Sequence, residues 1–240
     1  VIHAESRGSV GLVTIDRPDR RNALDVLHCE DLLAAVSSLA GACRVLVLAG
    51  AEGHFCAGAD LSTVEDERFA GALRALLDAL VAVPVPVVAA VEGAALGAGT
   101  QLAVACDLRV TTPTARFGIP AAKLGLMVDH WTVQRLALLA GHGPARQMLL
   151  AAEEVDGEAA FRLGLAQRLG SFDDALAWAE RIAELAPLTI AGHKLALNRL
   201  EPALDDADVA AARVLAWSSA DLAEGMAAFR ERRSPRFEGR

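Results

Sequence analysis

Between Asp25 and Leu39 the apolar residues Val26, Leu27, Leu32, Leu33, Val36 and Leu39 recur at helical spacing, which predicts one amphipathic helix. The pattern differs on either side. Val10 to Ile15 alternate loosely ahead of the polar turn RPDRRN, so Ile2 to Ile15 is predicted as a hairpin. After the helix, RVLVLAG is a short apolar run closed by glycine, as expected of a strand buried on both faces. The loop AEGHFCAGAD follows. Ser62 to Val83 then reads as helical, Pro84 and Pro86 end it, and VVAAVEG is the next strand. Strands alternating with helices predict an α/β class with parallel strands and helical crossovers.

The next stretch, ALGAGTQLA, is a turn of small residues running into a helix that reaches about Cys106. Backbone N–H groups at a helix start have no partner, and a turn without bulky side chains lets a ligand oxygen reach them, so an anion or carbonyl site is expected here. A strand at LRVTT, the irregular ARFGIPAAKLGLMVD and helices at His130 to Leu139, Pro144 to Ala151, Gly157 to Leu163 and Asp173 to Leu185 come next. Beyond Pro187 the character changes. Leu188 to Arg232 offers helical periodicity with no strand candidate, interrupted by the acidic EPALDDAD. The expected organisation is a core over residues 1–187 that carries the site and a helical region over 188–240. A helical tail without its own sheet must bury its apolar faces on the body or on another subunit, so an oligomer is expected.

Composition narrows this picture. The 240 residues are 53% hydrophobic, yet no uninterrupted apolar run approaches the ~20 residues a bilayer crossing needs. The first residues lack the basic and apolar blocks of a signal peptide, so a cytoplasmic location is expected. Cys29, Cys43, Cys56 and Cys106 form no CxxC pair, which points to neither a disulfide framework nor a zinc site. A net charge of −8 argues against nucleic acid as a partner. Anionic small ligands need only local basic groups, and Arg17, Arg20 and Arg21 supply one cluster. A nicotinamide-dependent dehydrogenase, suggested by Gly97 and Gly99, fails because Leu102 stands at the third glycine position and no acidic residue follows at the required distance.

Three segments in this order and spacing, RVLVLAGAEGHFCAGADL, PVPVVAAVEGAALGAGTQLAVACDLRV and ARFGIPAAKLGL, resemble the crotonase family of enoyl-CoA hydratases and isomerases. RPDRRNAL, GPARQMLLAAEEVDGEAAFRLGLAQRL and FRERRSPRFEG extend the resemblance over nearly the whole chain. It implies a spiral of ββα units with a C-terminal helical region, assembled as trimers or dimers of trimers. It also implies a coenzyme A thioester as ligand, with no further cofactor and no metal. The thioester carbonyl would sit between the backbone N–H groups of Ala59 and Ala98. The basic turn with Arg20 and Arg21 would lie near the CoA phosphates, and Ala57, Ala59, Asp60 and Leu61 beside the adenine and pantetheine. Phe229 and Arg233 would close the site, and Trp131 would wall the acyl pocket.

Hydratases of this family use two glutamates as base and acid. At the matching places this chain has Gln101 and Ala121. An amide can hold water but cannot exchange a proton near neutral pH, and a methyl group does neither. With DHW in place of the family's usual glycine-rich segment, and with Gln101, Ala121 and GHGPAR, the chain resembles a narrower mycobacterial subgroup that is catalytically incomplete, binds long-chain acyl-CoA and supports mycolic acid synthesis, with fatty acid elongation enzymes as partners. The expected function is a binder or carrier with little or no hydratase activity. The competing expectation is an active enzyme using Asp129, which falls near a nucleophilic aspartate of related dehalogenases, although an Asp just before a helix also suits an N-cap. His130 is a candidate base or a solvent-facing first-turn residue, and His54 an ordinary loop histidine.

Overall fold

The computed structural model describes residues 1–62, 67–200 and 207–238. Residues 63–66 of the predicted second helix, and 201–206 of EPALDDAD, lie outside the described residues. In chain order the elements are β1 (Ile2–Arg7), β2 (Val10–Ile15), α1 (Val26–Ala40), β3 (Val45–Gly50), α2 (Glu67–Ala82), β4 (Val87–Val91), β5 (Ala94–Leu96), α3 (Ala98–Ala105), β6 (Leu108–Thr111) and β7 (Arg116–Gly118). There follow α4 (His130–Ala140), α5 (His142–Leu150), β8 (Val155–Asp156), α6 (Gly157–Arg162), β9 (Arg168–Leu169), α7 (Phe172–Ala183), α8 (Pro187–Asn198), α9 (Ala207–Trp217) and α10 (Ala220–Glu231). Short 3-10 turns cover Pro18–Arg20 and Pro120–Leu124.

The main sheet runs β1-β2-β3-β4-β6-β9, antiparallel only between β1 and β2. Strand side chains alternate between faces, so each strand feeds two cores. Leu46 and Leu48 of β3 join Val13, Val87 and Leu102 in the larger cluster, under α1, α2 and α3. Val45 and Val47 turn the other way, onto Ala175, Ala179 and Ile182 of α7. Strands buried on both faces are why these runs look continuously apolar in sequence.

A small second sheet, β5-β7-β8, carries the turn into α3. The sequence pattern leaves ARFGIPAAKLGL irregular, but the structure places a strand and a 3-10 turn there. β7 pairs parallel with β5, and Thr100 fastens them: its hydroxyl lies 2.6 Å from the Ala95 carbonyl and accepts the Gly118 N–H at 3.0 Å.

The C-terminal helices dock on the body. Lys194 of α8 is buried and donates to Asp107 at 2.7 Å and to the carbonyls of Leu80 and Val85. Trp217 of α9 donates from its indole nitrogen to the Met127 carbonyl at 2.8 Å. Other apolar side chains here remain exposed, among them Leu188, Leu197, Val214 and Leu215. Among the described residues, no helix is long and apolar enough to cross a membrane.

Candidate functional site

Two loops meet at the start of α3. Gly97 caps the helix with φ of +54° and ψ of −115°, a conformation that a residue with a Cβ adopts only under strain. It turns the chain so that Ala98 opens the helix. Ala98 is buried, and its N–H donates to no acceptor among the described residues. The first N–H groups of any helix are unpaired and carry the positive end of its dipole. Beside it runs the loop after β3. A Cβ on Gly97 would stand 3.9 Å from the Gly58 Cα, and one on Gly58 would stand 4.0 Å from the Ala98 nitrogen, so the two backbones are in contact.

The loop is locked from the opposite side. Asn22, fully buried, donates from its amide to the carbonyls of Ala51 (2.9 Å) and His54 (2.6 Å) and accepts the Arg17 N–H at 2.8 Å. The Leu24 N–H donates to the Gly58 carbonyl, and the Asp60 N–H to the Leu24 carbonyl. In this parallel bridge the N–H of Ala59 faces away from Leu24, and it too donates to nothing among the described residues. Arg17 pairs with Asp60 at 2.7 Å, and Ser62 donates to the other Asp60 oxygen at 2.6 Å. Burial alone would push the Asp60 carboxyl up, but the hydrogen bonds from Ser62 and Arg17 outweigh it and hold it below the usual carboxylate range. RPDRRN is thus largely a loop fastener. His54 belongs to the same scaffold, its Nδ1 accepting the Ala94 N–H at 3.2 Å.

Both free N–H groups belong to residues lining one cavity of about 700 Å³. Arg20, Arg21, Ala57, Ala59, Asp60, Leu61, Ala98, Gln101, Ala121, Asp129 and Phe229 all line it. Two expected residues do not. Trp131 packs against the core with its ring centroid 4.3 Å from the Arg74 guanidinium, and Arg233 lies outside the lining, held by Glu224 and Glu231. Trp131 points elsewhere because Asp129 starts α4 two residues earlier and the helix carries the ring onto α2. Those hydrogen bonds raise the Arg233 pKa and bring the Glu224 carboxyl down to about 2. Nor is the cavity confined to residues 1–187: Arg213, Trp217 and Phe229 line it from α9 and α10.

The polar side chains of the cavity hold one another. Gln101 donates from its amide nitrogen to the Thr132 hydroxyl at 2.7 Å and reaches Asp129 at 3.5 Å. Asp129 caps α4 by accepting the Thr132 N–H at 2.8 Å, the N-cap that its position suggested. Arg74 of α2 approaches Asp129 at 3.7 Å. His130 follows the cap and is not in the lining. All four thiols are free and buried, and burial pushes Cys29, Cys56 and Cys106 up to about 12. Among the described residues no group of His, Cys, Asp or Glu is arranged to hold a metal ion.

Sequence reading missed Arg74, Phe69, Leu73 and Trp217 as lining residues. In ALRALLDAL the arginine looks like the solvated face of an amphipathic helix, and Trp217 lies far along the chain with no motif around it.

Residues 5–240 match the family model described as enoyl-CoA hydratase/isomerase. The chain is 44% identical over 234 residues to "Probable enoyl-CoA hydratase echA6" of Mycobacterium tuberculosis (strain CDC 1551 / Oshkosh), covering 95% of each chain. The crystal structure of an enoyl-CoA hydratase from Mycobacterium avium subsp. paratuberculosis K-10 superposes with a TM-score of 0.86 at 29% identity, covering 99% of this chain and 98% of that one. A methylmalonyl-CoA decarboxylase complexed with 2S-carboxypropyl-CoA gives 0.91 at 25% identity, covering 100% and 98%.

Proposed function

The chain belongs to the enoyl-CoA hydratase/isomerase family of the crotonase superfamily, and from that premise we propose that it binds fatty acyl-CoA thioesters without hydrating them. The carbonyl oxygen sits between the N–H groups of Ala59 and Ala98, which favour a partly negative oxygen. The CoA phosphates lie by Arg20 and Arg21, and the acyl chain runs along Phe69, Leu73, Val128 and Trp217.

The observation that carries this reading is what stands at Gln101 and Ala121, which line the same cavity as the two donors. Gln101 is tied by its own amide to Thr132, and Ala121 has no proton to give. Each positioned acid or base contributes about 10²–10⁴ in rate, so losing two removes more than the donor pair restores. Asp129 is a poor substitute, because one carboxylate oxygen is committed to its helix cap and the other faces Gln101.

By the sequence resemblance we extend the proposal to long-chain acyl groups, to a carrier role in mycolic acid synthesis beside elongation enzymes, and to self-association as a trimer or dimer of trimers. The exposed Leu188, Leu197, Val214 and Leu215 support the last of these. One paired experiment tests the core of it. Purified protein is offered crotonyl-CoA and longer enoyl-CoA while absorbance is followed, and saturated acyl-CoA is titrated by calorimetry. The expected result is binding without turnover. Hydration well above buffer would refute the carrier role, and absence of binding would refute thioester recognition altogether.

A further inference from the structure

The loop after β3, which carries Ala59, is sewn to β5, which leads into Ala98, by a short parallel ladder. The Cys56 N–H donates to the Ala94 carbonyl at 2.8 Å, and the Leu96 N–H donates to the Cys56 carbonyl at 3.0 Å. A regular parallel ladder would pair the Ala94 N–H with the carbonyl of residue 54. That carbonyl instead accepts the Asn22 amide at 2.6 Å, and the Ala94 N–H donates to the His54 ring at Nδ1, 3.2 Å away. A side chain thus supplies the acceptor that the backbone has given to another partner. Gly93 makes room for it, since a Cβ there would stand 2.7 Å from Nδ1. Ala94 is buried while His54 is partly exposed, so the ring has a way out to water and the N–H has none.

We propose that His54 is a positioning residue for the two carbonyl donors, and that it holds them in register only while its ring is neutral. This deepens the thioester-binding reading above and rests on it for its ligand. A ring that accepts at Nδ1 carries its proton on Nε2, and a second proton would occupy Nδ1 and set two N–H groups against each other. The protonated ring has to leave. Ala94 then keeps a buried, unmet donor at the head of the strand that sets Gly97 and Ala98. Charged groups on the segments around the ring are engaged elsewhere or turned to solvent. On its own loop Glu52 is exposed and Asp60 is paired with Arg17, and in the turn that supplies Asn22, Asp19, Arg20 and Arg21 are exposed. The Glu92 carboxylate accepts the Phe172 N–H at 3.2 Å, Arg116 of β7 pairs with Glu154 at 3.3 Å, and Asp16 after β2 pairs with His3 at 2.9 Å. Among the described residues none of these carboxylates forms an ion pair with the His54 ring. The contribution is therefore complete at alkaline pH and is lost as pH falls through the range in which histidines gain charge, about pH 8 to 5.

The test compares wild type, His54→Asn and His54→Leu across that window. Asparagine offers an oxygen acceptor near the place of Nδ1 and gains no proton, and leucine offers no acceptor. Nitrogen-15 shifts of labelled imidazoles, with the His54 signal assigned by its absence from the variants, should show Nδ1 bare and Nε2 protonated at the alkaline end. Denaturant unfolding of the free protein and calorimetric titration of a saturated acyl-CoA are then followed against pH. From the alkaline to the acid end wild type should lose about three- to tenfold more affinity than His54→Asn, the scale of one hydrogen bond, and should lose stability more steeply. His54→Leu should bind weakly at both ends. The CoA phosphates and the other histidines titrate in all three proteins, so the difference between profiles isolates His54, and His54→Asn carries the comparison if the leucine variant fails to fold. A proton on Nδ1 at the alkaline end, or matching profiles for wild type and His54→Asn, would overturn the positioning role while leaving thioester binding intact. If wild type binds no thioester at any pH, both readings fall together.

Discussion

The two walls of the cavity are made of different material. On one side stand backbone N–H groups of Ala59 and Ala98, fixed by Gly97, Gly58, Asn22 and Arg17 through contacts that leave the loops little freedom. The rest of the polar lining is side chains: Gln101 donates to the buried Thr132, Asp129 accepts the Thr132 N–H, and Arg74 pairs with Asp78 and approaches Asp129 at 3.7 Å. The first wall depends on backbone held by buried glycine contacts and by Asn22, whereas the second depends on individual side chains that can be exchanged one at a time. Under the proposed function, holding a carbonyl and moving a proton would therefore fall to different kinds of group, and a chain could retain one while losing the other.

The harshest way to break this contrast is at Gly99. A Cβ there would overlap the Cys56 carbonyl oxygen, which joins the two loops. Gly99→Val should cost more than about 3 kcal/mol and abolish cooperative thermal unfolding. A variant melting normally would show the backbone wall to be softer than described.

Next in size is a gain on the side-chain wall. Gln101→Glu combined with Ala121→Glu should raise enoyl-CoA hydration by about 10²-fold or more over wild type, read as loss of the conjugated absorbance. Gln101→Glu alone should do less, since the new carboxylate would lie beside Asp129 and the two would resist ionising together. An inert double variant would mean that the wall lacks more than two glutamates.

Asp60→Asn is a milder blow. It removes the ion pair with Arg17 and should destabilise the protein by about 1–3 kcal/mol at neutral pH, measured by denaturant unfolding. The Asp60 carboxyl is held below its unfolded value, so its contribution is complete above the ordinary aspartate range and disappears as pH falls through the lower folded value. The variant should lose stability less steeply over that acid window, and an unchanged acid limb would remove Asp60 from this account. Ala98→Gly should have the smallest effect. The N–H that matters is kept, so thioester affinity measured by calorimetry should shift by less than about threefold, while stability falls by about 0.5–1 kcal/mol. A larger change in affinity would give the methyl group a role of its own.

Much of the fold is readable from the chain because its main strands are buried on both faces and flanked by amphipathic helices. VLVLAG and VVAAV became β3 and β4, and Asp129 became the N-cap of α4, accepting from Thr132. The second sheet was hidden, since β5 and β7 have three residues each and β8 only two, too short to show a period. For the site, what can be read are motifs that shape backbone, such as CAGAD and LGAGT. What cannot be read are positions whose meaning depends on distant packing. Trp131 looks like a cavity wall and is instead a platform for Arg74, and Trp217 looks incidental but reaches the cavity from α9.

Lys194, one of only two lysines in the chain, places a cation among the Leu80 carbonyl of α2, the Val85 carbonyl just before β4 and the Asp107 carboxylate ahead of β6. A chain cut short at Pro187 would lose more than a tail. Asp107 would be stripped of its counter-ion, and the Leu80 and Val85 carbonyls of their donor, so the apparent boundary between sheet and tail is a poor place to divide this protein into parts.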